Sequence, residues 1–158
     1  MAQAQQTNLM PVPTSVSLNK ENYRLTDNFT IKITGLADKR LYKEASRFMQ
    51  RLSEKTGLFF KTWEIPNVSH NPSAALKIHY IKKGVVQLDM EESYTLSVDN
   101  SEIKINAASD IGAIRGLETL LQLVESDPNG FYFQGAYISD NPRFAWRGLL
   151  LSQPYHFM

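Results

Sequence analysis

The chain has 158 residues, no cysteine, and 17 basic against 16 acidic side chains, which gives a formal net charge of +1. This length is typical of a single domain, and the balanced charge argues against a nucleic-acid-binding protein, which would carry a concentrated basic excess. The absence of cysteine excludes a disulfide scaffold, a thiolate zinc site and a cysteine nucleophile.

The N-terminal residues 1–10 are mostly polar, and we expect them to form a disordered stub. They lack the basic and apolar regions of a signal peptide. They are typical of the residues that remain after a signal peptide has been removed, so we expect an exported protein (periplasmic, cell-surface or secreted). No run approaches the roughly 18 apolar residues of a membrane span, so we predict none.

Alternation of apolar and polar residues predicts several strands. The first contains Phe29, Ile31 and Ile33 and ends at Gly35. Further strands are predicted at 58–60, 76–80, 85–86, 94–98, 103–107 and 131–138. Residues 99–101, Asp-Asn-Ser, tolerate the positive φ of a tight turn, so the strands on either side are predicted to form a hairpin.

Two segments change to the helical period of 3.6 residues. The first runs from Asp38, a candidate N-cap, to Lys55, with Gly57 as its stop. Its apolar stripe consists of Leu41, Ala45, Phe48, Met49 and Leu52. The second follows Ser109 for about 18 residues and ends before the turn residues 127–130.

The second predicted helix contains Gly112 and Gly116. Each glycine costs a helix about 1 kcal/mol relative to alanine, so we expect a neighbouring element to approach closely there. The order of elements predicts an α+β fold, an α/β sandwich in which a mainly antiparallel sheet carries two helices on one face.

The sequence carries no motif for a nucleophile, a phosphate loop or a helical metal site. The three histidines, His70, His79 and His156, are far apart, and His79 is predicted on the polar face of a strand. No cofactor or metal is therefore predicted. The carboxylates Asp89, Glu91 and Glu92 could serve general acid–base chemistry, but a solvated strand edge is the favoured interpretation.

Three segments together resemble glycoside hydrolase family 20, the β-N-acetylhexosaminidases. The first is the Pro-x-Pro of residues 11–13, and the second extends from the Glu-x-Tyr strand at 92–94 through the Gly-x-x-x-Gly helix. The third is residues 140–151, Asp-Asn-Pro-Arg-Phe-Ala-Trp-Arg-Gly-Leu-Leu-Leu. The resemblance covers nearly the whole chain from about Met10 onward.

The resemblance implies that residues 11–141 form the non-catalytic N-terminal domain and that residues 142–158 begin a catalytic (β/α)8 barrel. Such a domain braces the barrel, with an exposed sheet and two helices packed between sheet and barrel. In the family, terminal N-acetylhexosamine is removed by substrate-assisted catalysis, which depends on an adjacent Asp-Glu pair on the barrel. That pair would lie beyond Met158, so we expect residues 1–158 alone to be inactive.

One functional residue can be carried over from the family. The arginine of its Trp-Arg-Gly motif binds hydroxyls of the terminal sugar, and here that arginine is Arg147. An arginine that pairs with a carboxylate at a domain junction is the alternative. The tail departs from the family pattern, because Ser152 replaces an acid and Tyr155 an arginine. The longer parent protein, to which this chain would belong, could therefore also have a degenerate sugar site.

Two other functions belong to different classes. An independent carbohydrate-binding module would stack sugars on Trp63, Tyr132 or Trp146, although aromatic residues in strands are more often part of the core. A metalloprotease-like domain would need paired helical histidines, which the sequence lacks.

Overall fold

The computed structural model describes residues 8–35, 39–60 and 74–143. Strands β1 to β3 are Ser15–Leu18, Tyr23–Arg24 and Ile31–Thr34, and helix α1 is Lys39–Thr56. They are followed by β4 (Leu76–Lys82), β5 (Tyr94–Val98), β6 (Ile103–Ser109) and helix α2 (Asp110–Gln122). The last strands are β7 (Val124–Asp127), β8 (Gly130–Phe133) and β9 (Ala136–Asp140).

The predicted α+β class is confirmed. The larger sheet has six strands in the order β1-β9-β5-β6-β4-β3, and the smaller has three in the order β2-β8-β7. Antiparallel pairing joins β1 to β9, β9 to β5 and β5 to β6, whereas β6, β4 and β3 run parallel. The larger sheet is therefore mixed, and the smaller sheet is wholly antiparallel.

The apolar stripes of both helices lie against one face of the large sheet. Leu41, Phe48 and Leu52 of α1 belong to the same buried cluster as the inward residues of the central strands. The opposite face carries Lys77 and His79, which alternate with buried residues as in a sheet that is solvated on one side. Within the described residues, neither helix is both long and apolar enough to cross a membrane.

Several predicted boundaries are confirmed. The β5–β6 hairpin forms around an Asp99 carboxylate that accepts hydrogen bonds from the amides of Ser101 and Glu102 at 2.8 and 2.9 Å. Gly57 follows α1 with a φ of +69°. The candidate cap Asp38 lies outside the described residues, as does most of the predicted N-terminal stub, although Leu9 is buried in the core.

The structure corrects three predictions of secondary structure. Helix α2 has 13 residues rather than about 18, and the turn at 127–130 closes the β7–β8 hairpin instead of ending the helix. The predicted strand 131–138 is divided between β8 and β9, which lie in different sheets. Residues 58–60 and 85–86 form no strand. Phe60 is nonetheless buried against Phe29, which also contacts Tyr23 and Phe133.

Candidate functional site

The loop between β4 and β5, residues 83–93, is fastened at its first end by a buried carboxylate. Asp110, fully buried at the start of α2, accepts a 2.5 Å hydrogen bond from the Gly84 amide on Oδ1. On Oδ2 it accepts a 3.0 Å bond from Nη1 of Arg40, which also donates to the Gly84 carbonyl oxygen. A buried charge needs such partners to offset its desolvation. These contacts tie the loop to both helices.

The second end of the loop is fastened by the helix cap. The Ser109 hydroxyl donates to the Glu91 carbonyl oxygen at 2.5 Å and accepts from the Gly112 amide at 3.2 Å. Ser109 has the extended backbone of an N-cap, so the predicted cap is confirmed. The Glu91 carboxylate accepts from the hydroxyl and amide of Ser93 at 2.5 and 3.0 Å, and these bonds lower the pKa of Glu91.

Glu92 is not the solvated carboxylate that the sequence predicts. Only 4% of its surface is exposed, and its Oε1 accepts a 2.7 Å hydrogen bond from Nε of Arg115 on α2. The side chain of Arg115 keeps 41% of its own surface exposed. Asp89 and Glu91 are exposed, as expected. The loop is thus joined to α2 at positions 84, 91 and 92, and we call residues 83–93 the anchored loop.

Between its two fastened ends the anchored loop exposes apolar side chains. Val85, Val86 and Leu88 keep 67%, 72% and 65% of their surfaces accessible. Asp89 has a φ of +56°, a conformation that non-glycine residues adopt rarely and aspartate more readily than most. Large apolar groups rarely cluster at the surface of a protein that acts alone.

The loop forms one wall of a groove of about 600 Å³. The other walls are the outer side of α2, the segment around Met10, and the end of β9 with the residues that follow it. The lining residues are Met10, Pro11, Val86, Gln87, Leu88, Met90, Tyr94, Arg115, Glu118, Thr119, Gln122, Asp140 and Pro142. We call it the exit groove, because the end of β9 and the residues that follow it form one of its walls.

The walls of the exit groove are held by hydrogen bonds. Gln122 of α2 accepts from the Met10 amide at 2.8 Å and donates to the Met10 carbonyl oxygen at 3.1 Å. Asp140 accepts from the amide and hydroxyl of Thr14 at 3.0 and 3.1 Å. At the base, the buried hydroxyls of Tyr94 and Thr119 lie 2.6 Å apart, and burial raises the pKa of Tyr94 to about 12. The tyrosine therefore stays neutral at ordinary pH.

The charged side chains that line the groove have partners within the domain. Arg115 pairs with Glu92, and Glu118 pairs with Arg51 of α1 at 2.5 Å. Among the described residues no group of three or more potential ligands could hold a metal ion. The groove combines apolar walls with paired charges, an arrangement suited to packing against another surface.

The predicted close approach at the two glycines of α2 is confirmed, and the neighbours are the end of the anchored loop and the sheet. A Cβ on Gly112 would lie 2.4 Å from the Ser93 carbonyl oxygen, and one on Gly116 would lie 2.8 Å from Cγ2 of Ile105. The glycines thus bring α2 down onto β5 and β6 and set the floor of the exit groove.

Of the residues that the sequence singled out for sugar contact, the structure describes only Tyr132. Arg147, the predicted substrate ligand, lies outside the described residues, and so do Trp63, Trp146, Ser152 and Tyr155. The Arg24 guanidinium lies 5.0 Å above the Tyr132 ring. It therefore occupies one of the two ring faces on which a sugar could stack.

Two of the three histidines, His70 and His156, also lie outside the described residues. His79 lies on the outer face of β4, with Nδ1 3.1 Å from the Thr34 hydroxyl. The sequence did not single out Asp110 or the exposed tip of the loop. The only sequence signal was Ser109-Asp110 at the start of an apolar helical stripe, which indicated a helix cap and nothing more.

The chain is similar to proteins of one family over most of its length. Residues 6–141 match the sequence model of glycosyl hydrolase family 20, domain 2. The β-hexosaminidase subunit A1 of Dictyostelium discoideum is 32% identical over 118 residues, which are 73% of this chain and 22% of that protein. β-Hexosaminidase 1 of Arabidopsis thaliana is 29% identical over 95% of this chain and 31% of its own length.

Solved structures agree in fold. The chitobiase of Flavobacterium johnsoniae superposes with a TM-score of 0.88 and 46% identity, over 96% of this chain and 23% of that chain. The N-acetyl-β-hexosaminidase of Streptomyces plicatus gives a TM-score of 0.63 at 23% identity, over 92% of this chain and 29% of that chain, which shows the shared fold alone. The chain thus spans between about a fifth and a third of the length of these relatives. With 6–141 matched, it belongs to glycosyl hydrolase family 20, as a representative of that family's domain 2.

Proposed function

We propose that this chain is the accessory N-terminal domain of a β-N-acetylhexosaminidase and that it braces a catalytic barrel encoded after it. The observation that carries the proposal is the match of residues 6–141 to domain 2 of the family, in a chain whose alignments cover only 22% and 31% of the two curated relatives named above. Those relatives are β-hexosaminidases by name, and the Flavobacterium neighbour is a chitobiase. We therefore assign terminal N-acetylhexosamine residues of glycans as the substrate of the parent protein.

The test compares three proteins with an aryl N-acetylglucosaminide as substrate. The 158-residue chain should give no turnover, the full-length parent should hydrolyse the substrate, and the parent without residues 1–143 should be less stable or insoluble. Turnover by the 158-residue chain would refute the assignment. So would a deletion variant that is as stable and as active as the full-length protein.

Within this proposal Arg147 binds the terminal sugar. A hydrogen bond to a charged donor contributes about 1.5–3 kcal/mol, so Arg147→Ala in the full-length parent should lower kcat/KM roughly 10- to 100-fold. Arg147→Lys keeps the charge but loses the two-pronged donor geometry and should recover only part of the loss. Unchanged kinetics in Arg147→Ala would assign the arginine to the domain junction instead.

Binding of sugars by the domain itself is the competing function. Calorimetric titration of the 158-residue chain with N-acetylglucosamine oligomers should show no saturable heat. Saturable binding that is lost in Tyr132→Ala would favour the carbohydrate-binding module. Export of the parent protein stays a prediction, which cell fractionation with an antibody against this domain would test.

A further inference from the structure

The outer face of the large sheet, which is turned away from both helices, presents polar side chains in two rows that cross the strands. Paired residues of neighbouring strands point to the same face and lie about 4.8 Å apart. The strand pairings therefore place six residues in a first row, in the order Lys32, Lys77, Lys104, Ser97, Tyr137 and Ser17. The second row lies two residues away along each strand and consists of Thr34, His79, Asn106, Thr95, Ser139 and Ser15.

The first row is positively charged at one end. Lys32, Lys77 and Lys104 are neighbours on β3, β4 and β6, and neither row contains a carboxylate. Glu102, directly before β6, pairs with Lys77 at 2.6 Å and also with Lys104, and its hydrogen bond raises the pKa of Lys104. Among the described residues no ion pair involves Lys32. Three lysines thus share one carboxylate, which leaves a surplus of two positive charges.

The remaining positions of the two rows offer groups that recognise hydroxyls. Serine and threonine hydroxyls and the amide of Asn106 can each donate and accept hydrogen bonds. Asn106 and His79 are exposed, and Nδ1 of His79 lies 3.1 Å from the Thr34 hydroxyl. Tyr137 is 54% exposed, so its ring is accessible for stacking. The face therefore combines a cationic end with a broad surface of neutral polar groups and one aromatic ring.

The spacing and the charge of the rows identify the chemistry of a ligand. A row of cations attracts a polymer with regularly spaced anionic groups. The strand spacing of about 4.8 Å is similar to the length of one pyranose unit, so successive sugars of an extended chain meet successive strands. A single-stranded nucleic acid instead requires several aromatic residues on which its bases stack. Tyr137 is the only phenylalanine, tyrosine or tryptophan in the two rows.

We propose that the outer face of the large sheet binds an anionic polysaccharide. Its carboxylate or sulfate groups contact Lys32, Lys77 and Lys104, its hydroxyls contact the neutral polar side chains, and one sugar ring stacks on Tyr137. The inference goes beyond the proposed function and does not depend on it, because the 158-residue chain carries the whole face. Neutral N-acetylglucosamine oligomers lack the anionic groups, so their failure to bind is expected here as well.

The test is a calorimetric titration of the 158-residue chain with polygalacturonate, which carries a carboxylate on every sugar. Saturable binding is expected at about 0.05 M salt and should weaken at about 0.5 M, because salt screens exposed charges. Fully methyl-esterified polygalacturonate is the matched ligand control. It keeps the backbone, loses the charge and should show no saturable binding. No binding of polygalacturonate, or equal binding of both polymers, would overturn the proposal.

Lysine variants locate the binding surface. Lys32→Gln combined with Lys77→Gln removes two exposed ion pairs with the ligand and should weaken binding about 10-fold. Lys20→Gln combined with Lys43→Gln removes the same charge from exposed positions before β2 and on α1 and should change affinity by less than about 2-fold. Equal losses in the two double variants would mean that net charge and not the row governs binding, which would overturn the proposal.

Two further variants keep the test independent of folding and of charge alone. Lys32→Glu disrupts no ion pair among the described residues and should weaken binding at least as much as the double variant. Tyr137→Ala should weaken binding of polygalacturonate but not of polyglutamate, which has carboxylates and no sugar rings. If Tyr137→Ala affects neither and both polymers bind equally, the face is a general anion-binding surface. Tighter binding of a single-stranded oligonucleotide would reassign the ligand to nucleic acid, and either result would overturn the polysaccharide.

Discussion

The contact between Gly112 and the end of the anchored loop, directly before β5, gives the sharpest test of how α2 packs. A Cβ at position 112 would lie 2.4 Å from the Ser93 carbonyl oxygen and 3.2 Å from the Glu92 carbonyl oxygen. Even weak C–H···O contacts occur only from about 3.3 Å. Both obstructing atoms belong to backbone at the fastened end of the anchored loop, so relief requires α2 or β5 to move.

The expected cost follows from two opposing effects. Overpacking a tight site costs about 1–3 kcal/mol, and we take the upper end because the obstructing atoms are backbone. Alanine returns up to about 1 kcal/mol of helix propensity. Gly112→Ala should therefore destabilise the chain by about 2 kcal/mol. With a urea dependence of about 2 kcal/mol per molar, the unfolding midpoint should fall by about 1 M.

Gly116→Ala is the matched comparison on the same helix. Its Cβ would meet side-chain atoms, Cγ2 of Ile105 at 2.8 Å and Cδ2 of Tyr94 at 3.3 Å. These side-chain atoms can shift slightly without moving the backbone, so we take the lower overpacking cost of about 1 kcal/mol, which the propensity gain offsets. We expect a urea midpoint within about 0.5 M of that of the unmodified chain. Ser46→Ala on the exposed side of α1 controls for alanine substitution in general.

Urea unfolding followed by circular dichroism decides the comparison. The dependence of the unfolding free energy on urea concentration should be the same for all variants. An unchanged or raised midpoint for Gly112→Ala would refute the close seating of α2 on β5. Equal losses at positions 112 and 116 would contradict the distinction between backbone and side-chain obstruction.

Three further predictions concern polar groups. Asp110→Ala should cost about 1–3 kcal/mol, because it leaves the buried Gly84 amide without its acceptor, and hydrogen exchange should show faster exchange of that amide. Ser109→Ala should cost about 1–2 kcal/mol in the same urea assay through loss of the helix cap, and Ser109→Asp should restore part of it. Hydrogen bonds from Lys104 and Lys77 lower the pKa of Glu102 below its ordinary value of 4.5. The stability that Glu102 adds relative to Glu102→Gln should therefore be fully present above pH 4.5 and disappear as the pH falls through the lowered pKa. The urea midpoints of the unmodified chain and of Glu102→Gln should converge in acid. Midpoints that stay apart there would contradict this reasoning.

Local sequence patterns predicted those elements that are stabilised by residues close to each other in the sequence. The stripe of α1, the β5–β6 hairpin and the Ser109 cap each depend on contacts within a few positions, and the sequence displays them directly. The pairing of β4 with β3 and β6 depends on partners about 27 to 45 positions apart. Parallel and antiparallel strands share the same alternation, so the sequence pattern predicted a mainly antiparallel sheet without locating its parallel half.

The errors after α2 have a physical cause. Val124 continues the apolar spacing of the helix, and Pro-Asn-Gly at 128–130 serves equally well as a helix stop or as a hairpin turn. Strand β7 has only four residues, with Glu125 and Ser126 exposed, so alternation cannot reveal it. Pairing with β8 settles the choice, since Phe133 opposite Val124 is fully buried.

The candidate site escaped sequence analysis because its determinants are buried polar groups with distant partners. Asp110 resembles any acidic residue in the first turn of a helix. Its role depends on Arg40, 70 positions away, and on Gly84, 26 positions away. Each of these residues fits an ordinary explanation alone, and only the fold brings them together beneath Val86 and Leu88. These polar contacts hold both ends of the anchored loop against the start of α2, while its apolar tip stays exposed.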